Sequence, residues 1–141
     1  MEAKHKDLTE KIIQAFYTVY NTLGYGFLEK VYENALAIEL SELGQNVVQQ
    51  APIVVSYKEL AVGNYNADLL VEDLVIVELK AARILAPEHE AQLLNYLKAT
   101  PYEVGLLLNF GPQPQIKRKT YDNERKGKLS WTLKPATDKS E

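Results

Sequence analysis

Hydrophobic residues recur at helical spacing in two stretches near the start of the chain. Over residues 7–23, Ile12, Ile13, Phe16, Tyr17, Tyr20 and Leu23 fall on one side of a helix. Asp7 or Thr9 stands where a cap is wanted, and Gly24-Tyr25-Gly26 breaks the run. Over 27–43, Leu28, Val31, Tyr32, Ala35, Leu36, Leu40 and Leu43 form a second apolar arc, stopped at Gly44, a residue suited to a helix C-terminus. The period then changes. Residues 47–57, 60–71 and 74–81 are rich in β-branched and aliphatic side chains and read as strands, with Pro52 marking an edge or bulge and Lys58-Glu59 a turn. Pro87 opens a third helix to Ala99, with Leu93, Leu94 and Leu97 inward and His89, Gln92 and Tyr96 on a second stripe. Glu103–Phe110 is an apolar run closed by Gly111-Pro112, a buried strand. Residues 115–121 and 128–133 read as a last hairpin or extended arm around Asn123–Gly127. The order α-α-β-β-β-α-β-(β-β) predicts an α/β fold, a mixed sheet flanked by helices.

At 141 residues the chain suits one domain, expected over 1–134, with 135–141 a disordered tail. There is no cysteine, which excludes disulfides, thiol nucleophiles and Cys-based zinc sites, and two histidines do not make a His-rich metal site. The charged N-terminus lacks the apolar core of a signal peptide, and no apolar run reaches membrane-span length, so the expected location is cytoplasmic, with no membrane partner. Charge is unevenly spread. Acid outnumbers base over residues 1–110, and base outnumbers acid over 111–141. Lys117, Arg118, Lys119, Arg125 and Lys126 could therefore track a nucleic-acid backbone, or simply solvate a polar end.

The chemistry concentrates in Asn64–Ala81. Strand geometry puts Glu78 and Lys80 on one face with Ile76, and Val75, Val77 and Leu79 on the other. A strand that is apolar on both sides yet ends in a carboxylate and an ammonium needs an explanation, because burying charge is costly unless it is paired or binds a metal. One reading is an ion pair at a sheet end. The other is a divalent-metal site, with Asp68 and Glu78 as hard oxygen ligands suited to Mg²⁺ and Lys80 beside the scissile phosphate. Glu29 falls in line with Tyr32, Leu36, Leu40 and Leu43, which sets a carboxylate at the edge of the buried stripe. A glutamate in a first turn is also favoured by the helix dipole.

Asp68…Glu78-Leu79-Lys80 follows the D-x(n)-E-x-K pattern of the PD-(D/E)XK nuclease superfamily, and the αβββαβ order of residues 27–110 resembles that superfamily's restriction-endonuclease-like core. Gln92-Leu93-Leu94-Asn95-Tyr96 resembles the QxxxY motif of its RecB-like branch. Gly26-Phe27-Leu28-Glu29-Lys30-Val31-Tyr32 resembles GxxExxY, the signature of a family of stand-alone bacterial proteins within it. Ala67 stands where the name-giving proline would be, but that proline is not a ligand. The resemblance implies a Mg²⁺-dependent hydrolysis of DNA, with Mn²⁺ able to substitute and RNA also open as a substrate. It implies that Asp68, Glu78 and the Leu79 carbonyl hold the ion, that Glu29 holds a water or second ion, and that Lys80 positions the attacking water. Gln92 and Tyr96 then orient the lysine, the ligands or the DNA backbone. His89 is a further, weaker candidate beside them.

Sharing a metal sets a condition on register. Asp68 and Glu78 face the same side only if the turn between their strands holds an odd number of residues, such as Glu72-Asp73-Leu74, or if a bulge restores the phase. A plain two-residue turn at Glu72-Asp73 would part them. Two other functions compete with the enzyme. One is a non-catalytic or partner-dependent nucleic-acid-binding module with a nuclease fold; a homodimer or a protein partner is open under either reading. The other is a purely structural charge network, which leaves the repulsion between Asp68 and Glu78 unexplained.

Overall fold

A computed structural model describes residues 3–127. Two helices, α1 (Lys6–Leu23) and α2 (Glu29–Glu42), precede β1 (Val47–Tyr57), β2 (Leu60–Val71) and β3 (Val75–Lys80). Helix α3 (Pro87–Ala99), β4 (Val104–Phe110), β5 (Pro114–Thr120) and a short 3-10 turn (Asn123–Arg125) complete the order. The strands lie side by side as β1-β2-β3-β4-β5. The β3–β4 pair is parallel and the other three are antiparallel, so the sheet is mixed. The parallel step forces a crossover, which α3 supplies. This is the restriction-endonuclease-like α/β architecture that the hydrophobic pattern and the resemblance led us to expect.

Both faces of the sheet are covered. Val75, Val77 and Leu79 of β3 join Ile12, Phe16 and Val19 of α1 and Tyr32, Leu36 and Leu40 of α2 in one core. Ile76 joins Leu93, Tyr96 and Leu97 of α3 in the other. That two-sided burial explains why β3 and β4 read as unbroken apolar runs. The Tyr32 ring stacks on Phe110 with centroids 4.2 Å apart, and Phe16 meets the same ring edge-on at 4.7 Å. Truncating Phe110 to alanine would cost about 3–5 kcal/mol, since both contacts and the filled volume go together.

Three local expectations are corrected. Helix α2 starts at Glu29 rather than residue 27, so Phe27 and Leu28 lie in the approach to the helix. Neither Asp7 nor Thr9 caps α1; the Thr9 hydroxyl donates to the Lys6 carbonyl inside the first turn. Residues 115–121 form no arm. They are β5, an edge strand hydrogen-bonded along β4, because Ile116 has a core to reach. Residues 128–133 and the expected tail at 135–141 lie outside the described residues. Among the described residues no helix is long and apolar enough to cross a membrane.

Candidate active site

The turn between β2 and β3 decides the site. The Leu74 amide donates to the Val71 carbonyl at 3.0 Å, and Glu72 and Asp73 both take left-handed backbone angles, φ 55° and 54°. Val71 nevertheless pairs with Val75, so Leu74 is an extra residue and the loop holds three. The odd count keeps Asp68 opposite Glu78, as the shared-metal reading requires.

At that point the backbone ladder gives way to side chains. Pairing runs from Val71↔Val75 to Leu69↔Val77. Beyond it the Asp68 amide donates to Glu78 Oε2 at 2.8 Å, and the Leu79 amide donates to Asp68 Oδ2 at 2.8 Å. On the other side of β2, the ladder with β1 skips Gln50 and Asp68, and Gln50 has φ 54°. Strand β2 also turns about its axis here. Ala67 belongs to the α3-side core and Leu69, two residues on, to the α1/α2-side core. The sheet opens at Asp68, and the opening is lined with carboxylates.

Glu78 is buried at 5% exposure. Burial first, and the Asp68 charge second, push its pKa up to about 8, against a smaller downward pull from the Asp68 amide and Lys80. Burial also raises Asp68, opposed by the Leu79 hydrogen bond and reinforced by Glu33 and Glu29. Lys80 is half-buried next to this pair. Its neighbour across the parallel ladder, Asn109, is fully buried and clamps the chain just after it. Asn109 accepts from the Ala82 amide and donates to the Ala82 carbonyl, both at 2.9 Å. Gly111 must be glycine in this packing, since a Cβ would stand 2.3 Å from the Ala82 oxygen.

Glu29 heads α2, exposed, and its charge acts on both Asp68 and Glu78. Tyr32 fixes the approach to that helix: its hydroxyl donates to the Gly24 carbonyl at 2.7 Å and accepts from the Phe27 amide at 3.2 Å. The tyrosine of the G-x-x-E-x-x-Y string is thus a brace for the glutamate. Sequence reasoning missed Glu33, one turn further along. It is buried at 4% exposure and accepts from Lys30 at 3.1 Å, Gln49 at 2.8 Å and Gln50 at 2.9 Å. The Gln50 amide reaches on to Asp68 Oδ1 at 3.4 Å, so Glu33 and Asp68 share one donor. The signal was present, because Glu33 lies at helical spacing from Leu36, Ala37 and Leu40.

On the far side, Tyr96 is buried, and burial followed by the charges of Glu78 and Asp68 pushes its hydroxyl up to about 12. Gln92, one turn earlier, lines with Tyr96 a groove between α3 and the β1–β2 hairpin. The structure cross-bonds Asp68 and Glu78, places Glu29, Lys80 and Tyr96 within electrostatic reach of the pair, and sets Gln92 in the adjoining groove. His89 has a structural role instead. Its Nδ1 accepts from the Ala86 amide at 3.1 Å and closes the first turn of α3.

The basic residues are not brought together. Lys126 is buried, and its ammonium donates to the Thr100 and Tyr102 carbonyls, both at 2.7 Å. Lys119 pairs with Glu90 at 2.6 Å, Arg118 donates to the Lys4 carbonyl, and Arg125 lies over the Tyr121 ring at 4.5 Å. Only Lys117 is an exposed cation of β5. The other members of the expected basic track have partners on α3, at the N-terminus and on a ring, so no continuous basic face forms among the described residues.

Among the described residues, no three His, Cys, Asp or Glu side chains converge to enclose an ion unaided. Two carboxylates do suit a hard divalent cation. Each fixes one oxygen on a backbone amide and leaves the other, Asp68 Oδ1 and Glu78 Oε1, without a backbone partner. A cation there would offset the Asp68 charge, which after burial is the second cause of the raised Glu78 pKa.

No curated protein and no solved structure matches the chain. A family model described as the PD-(D/E)XK nuclease superfamily matches residues 6–119. That span holds all three helices and all of the sheet but the last residue of β5. The chain belongs to the PD-(D/E)XK nuclease superfamily.

Proposed function

We propose that the protein hydrolyses phosphodiester bonds of DNA with Mg²⁺, for which Mn²⁺ can substitute, and that it falls in the RecB-like, GxxExxY group of its superfamily. The observation that carries this is the cross-bonded pair, Asp68 on the Leu79 amide and Glu78 on the Asp68 amide, one residue short of Lys80. Two carboxylates held in this way are oriented before any ligand arrives, so little is lost in ordering them. Bound by Asp68, Glu78 and the Leu79 carbonyl, the ion would act as a Lewis acid on the phosphate and lower the pKa of a water. Lys80 sets an ammonium beside the phosphate and offsets charge as the bond breaks. Glu29, braced by Tyr32, holds a water or a second ion at the open side of the carboxylates. Tyr96 orients the lysine or the ligands, and Gln92 faces the phosphate backbone from α3.

The test is cleavage of supercoiled plasmid with Mg²⁺, Mn²⁺ or EDTA. We expect nicking with either ion, none with EDTA, and a loss of about 10²–10⁴-fold in Lys80→Ala. Equal cleavage by Lys80→Ala and the unaltered chain would reject the reading. One observation favours a second reading, a binding module that needs a partner: no basic face gathers along β5. Metal-independent DNA binding without cleavage would support it.

A further inference from the structure

The groove between α3 and the β1–β2 hairpin encloses about 590 Å³ and runs beside the carboxylate pair, since Tyr96 borders both. Its hairpin wall is Tyr65. This ring is 48% exposed, yet its place is built. Gly63 lies two residues earlier on the same strand face, and a Cβ there would stand 2.9 Å from the ring. The Tyr96 ring lies 5.8 Å away, tilted by 42°. The helix wall presents two neutral amides, Gln92 and Asn95, neither hydrogen-bonded to another described residue. Lys98 stands at one end and Glu88 at the other, which biases a polyanion toward the Lys98 end.

A supported flat ring facing amides that both donate and accept is suited to a planar heterocycle with a polar edge. In a duplex that heterocycle's faces are stacked and its pairing edge is used, so only an unpaired base offers both. We infer that this groove takes an unpaired nucleobase next to the scissile phosphate, stacked on Tyr65 and hydrogen-bonded at its edge by Asn95, with Gln92 on the phosphate side. The preferred substrate is therefore a single strand, or a duplex that is frayed or branched at the cut. This inference rests on the nuclease reading and narrows it to a substrate class.

Binding in EDTA separates the two. A labelled single-stranded oligonucleotide and the same sequence as a duplex are titrated with the full chain. The unaltered chain should prefer the single strand, and Tyr65→Leu should reduce that preference roughly ten- to a hundredfold, the span expected for one lost stacking partner. Tyr65→Trp should retain it. Gly63→Ala, which displaces the ring without deleting it, should lower it as well. A 2-aminopurine base in the oligonucleotide should be quenched by the unaltered chain and less so by Tyr65→Leu. An unchanged single-strand-to-duplex ratio in folded Tyr65→Leu, with Lys80-dependent plasmid cleavage intact in the unaltered chain, overturns the inference and leaves the nuclease reading standing. Tyr65-dependent single-strand binding with no cleavage of any substrate supports the groove and removes the nuclease reading. A groove filled by a second copy would show as self-association that Tyr65→Leu abolishes and DNA does not compete with, which also overturns the inference.

Discussion

The acidic end of the β2–β3 hairpin and the basic strand β5 were the two charged regions of the sequence, and the fold treats them in opposite ways. At the hairpin, carboxyl groups are crowded together, and burial with neighbouring charge raises the pKa of Asp68 and Glu78. Glu33 and Glu29 act on Asp68, Asp68 and Glu29 act on Glu78, and Lys80 pulls Glu78 the other way. Along β5 and the turn after it, the cations are spent inside the molecule: Lys119 on Glu90, Lys126 on two carbonyls, Arg118 on a backbone oxygen. On the reading proposed above, the difference separates charge kept for a ligand from charge used in folding. Carboxyls crowded in a covered cleft are costly to ionise together, and such perturbed groups mark candidate binding sites.

The strongest way to break the comparison is at Asp68. Asp68→Asn keeps the size and the hydrogen bond to the Leu79 amide but removes a charge, so cleavage should fall by about 10²–10⁴-fold while the fold survives. The check is single-turnover cleavage beside a thermal melt. Comparable activity would mean that the crowded carboxylates are structural after all.

The next effect reads the two regions through pH. Without divalent ions, Glu78 titrates near 8 in the folded chain against 4.5 unfolded. Its folded pKa is the higher, so the stability it contributes is full below 4.5 and is lost as pH rises through 8. Asp68 shifts in the same direction. Denaturant midpoints in EDTA should therefore fall from pH 5 to pH 8, and Glu78→Gln should flatten that fall. Saturating Mg²⁺ should oppose it, because the ion binds the ionised form. Lys126 has the opposite sign. Burial lowers its ammonium to about 8 from 10.5, so the protein gains stability as pH rises between those values, and Lys126→Met should erase that gain. It should also cost about 1–3 kcal/mol by leaving the Thr100 and Tyr102 carbonyls without this donor.

What could be read from the sequence follows the same division. The sharing of a face by Asp68 and Glu78 is a matter of parity, and parity depends only on counting residues through a turn. The helix order and both sheet faces were legible because burial repeats with a fixed period. Glu33 was legible in the same way and was overlooked because Glu29 already filled the motif. Gln50 was not legible. Its left-handed backbone depends on the local opening of the sheet, and nothing in a glutamine asks for it. The partners of the basic strand were not legible either, for a related reason. Counting cations ignores which acids the fold will bring to them, and Glu90 lies 29 positions from Lys119 in the chain. Pairing across such separations is set by topology, which composition does not contain.

The smallest effect sharpens the comparison at β5 itself. Lys117 and Lys119 alternate with Arg118 along one short strand, but Lys117 is exposed and Lys119 is paired with Glu90. If DNA passes along this edge, only Lys117 is positioned to displace counterions from it. Lys117→Gln should then lower the slope of log affinity against log salt by about one, equally for all sequences. Lys119→Gln should leave the slope alone, since its ammonium already serves a carboxylate. It should lower stability by no more than about 1 kcal/mol, because the pair is partly exposed and screened. Both slopes are measured on one oligonucleotide over the same salt range in EDTA. If Lys119→Gln reduces the slope as much as Lys117→Gln does, the ion pair opens when DNA arrives, and the cations of β5 belong with the charges kept for a ligand.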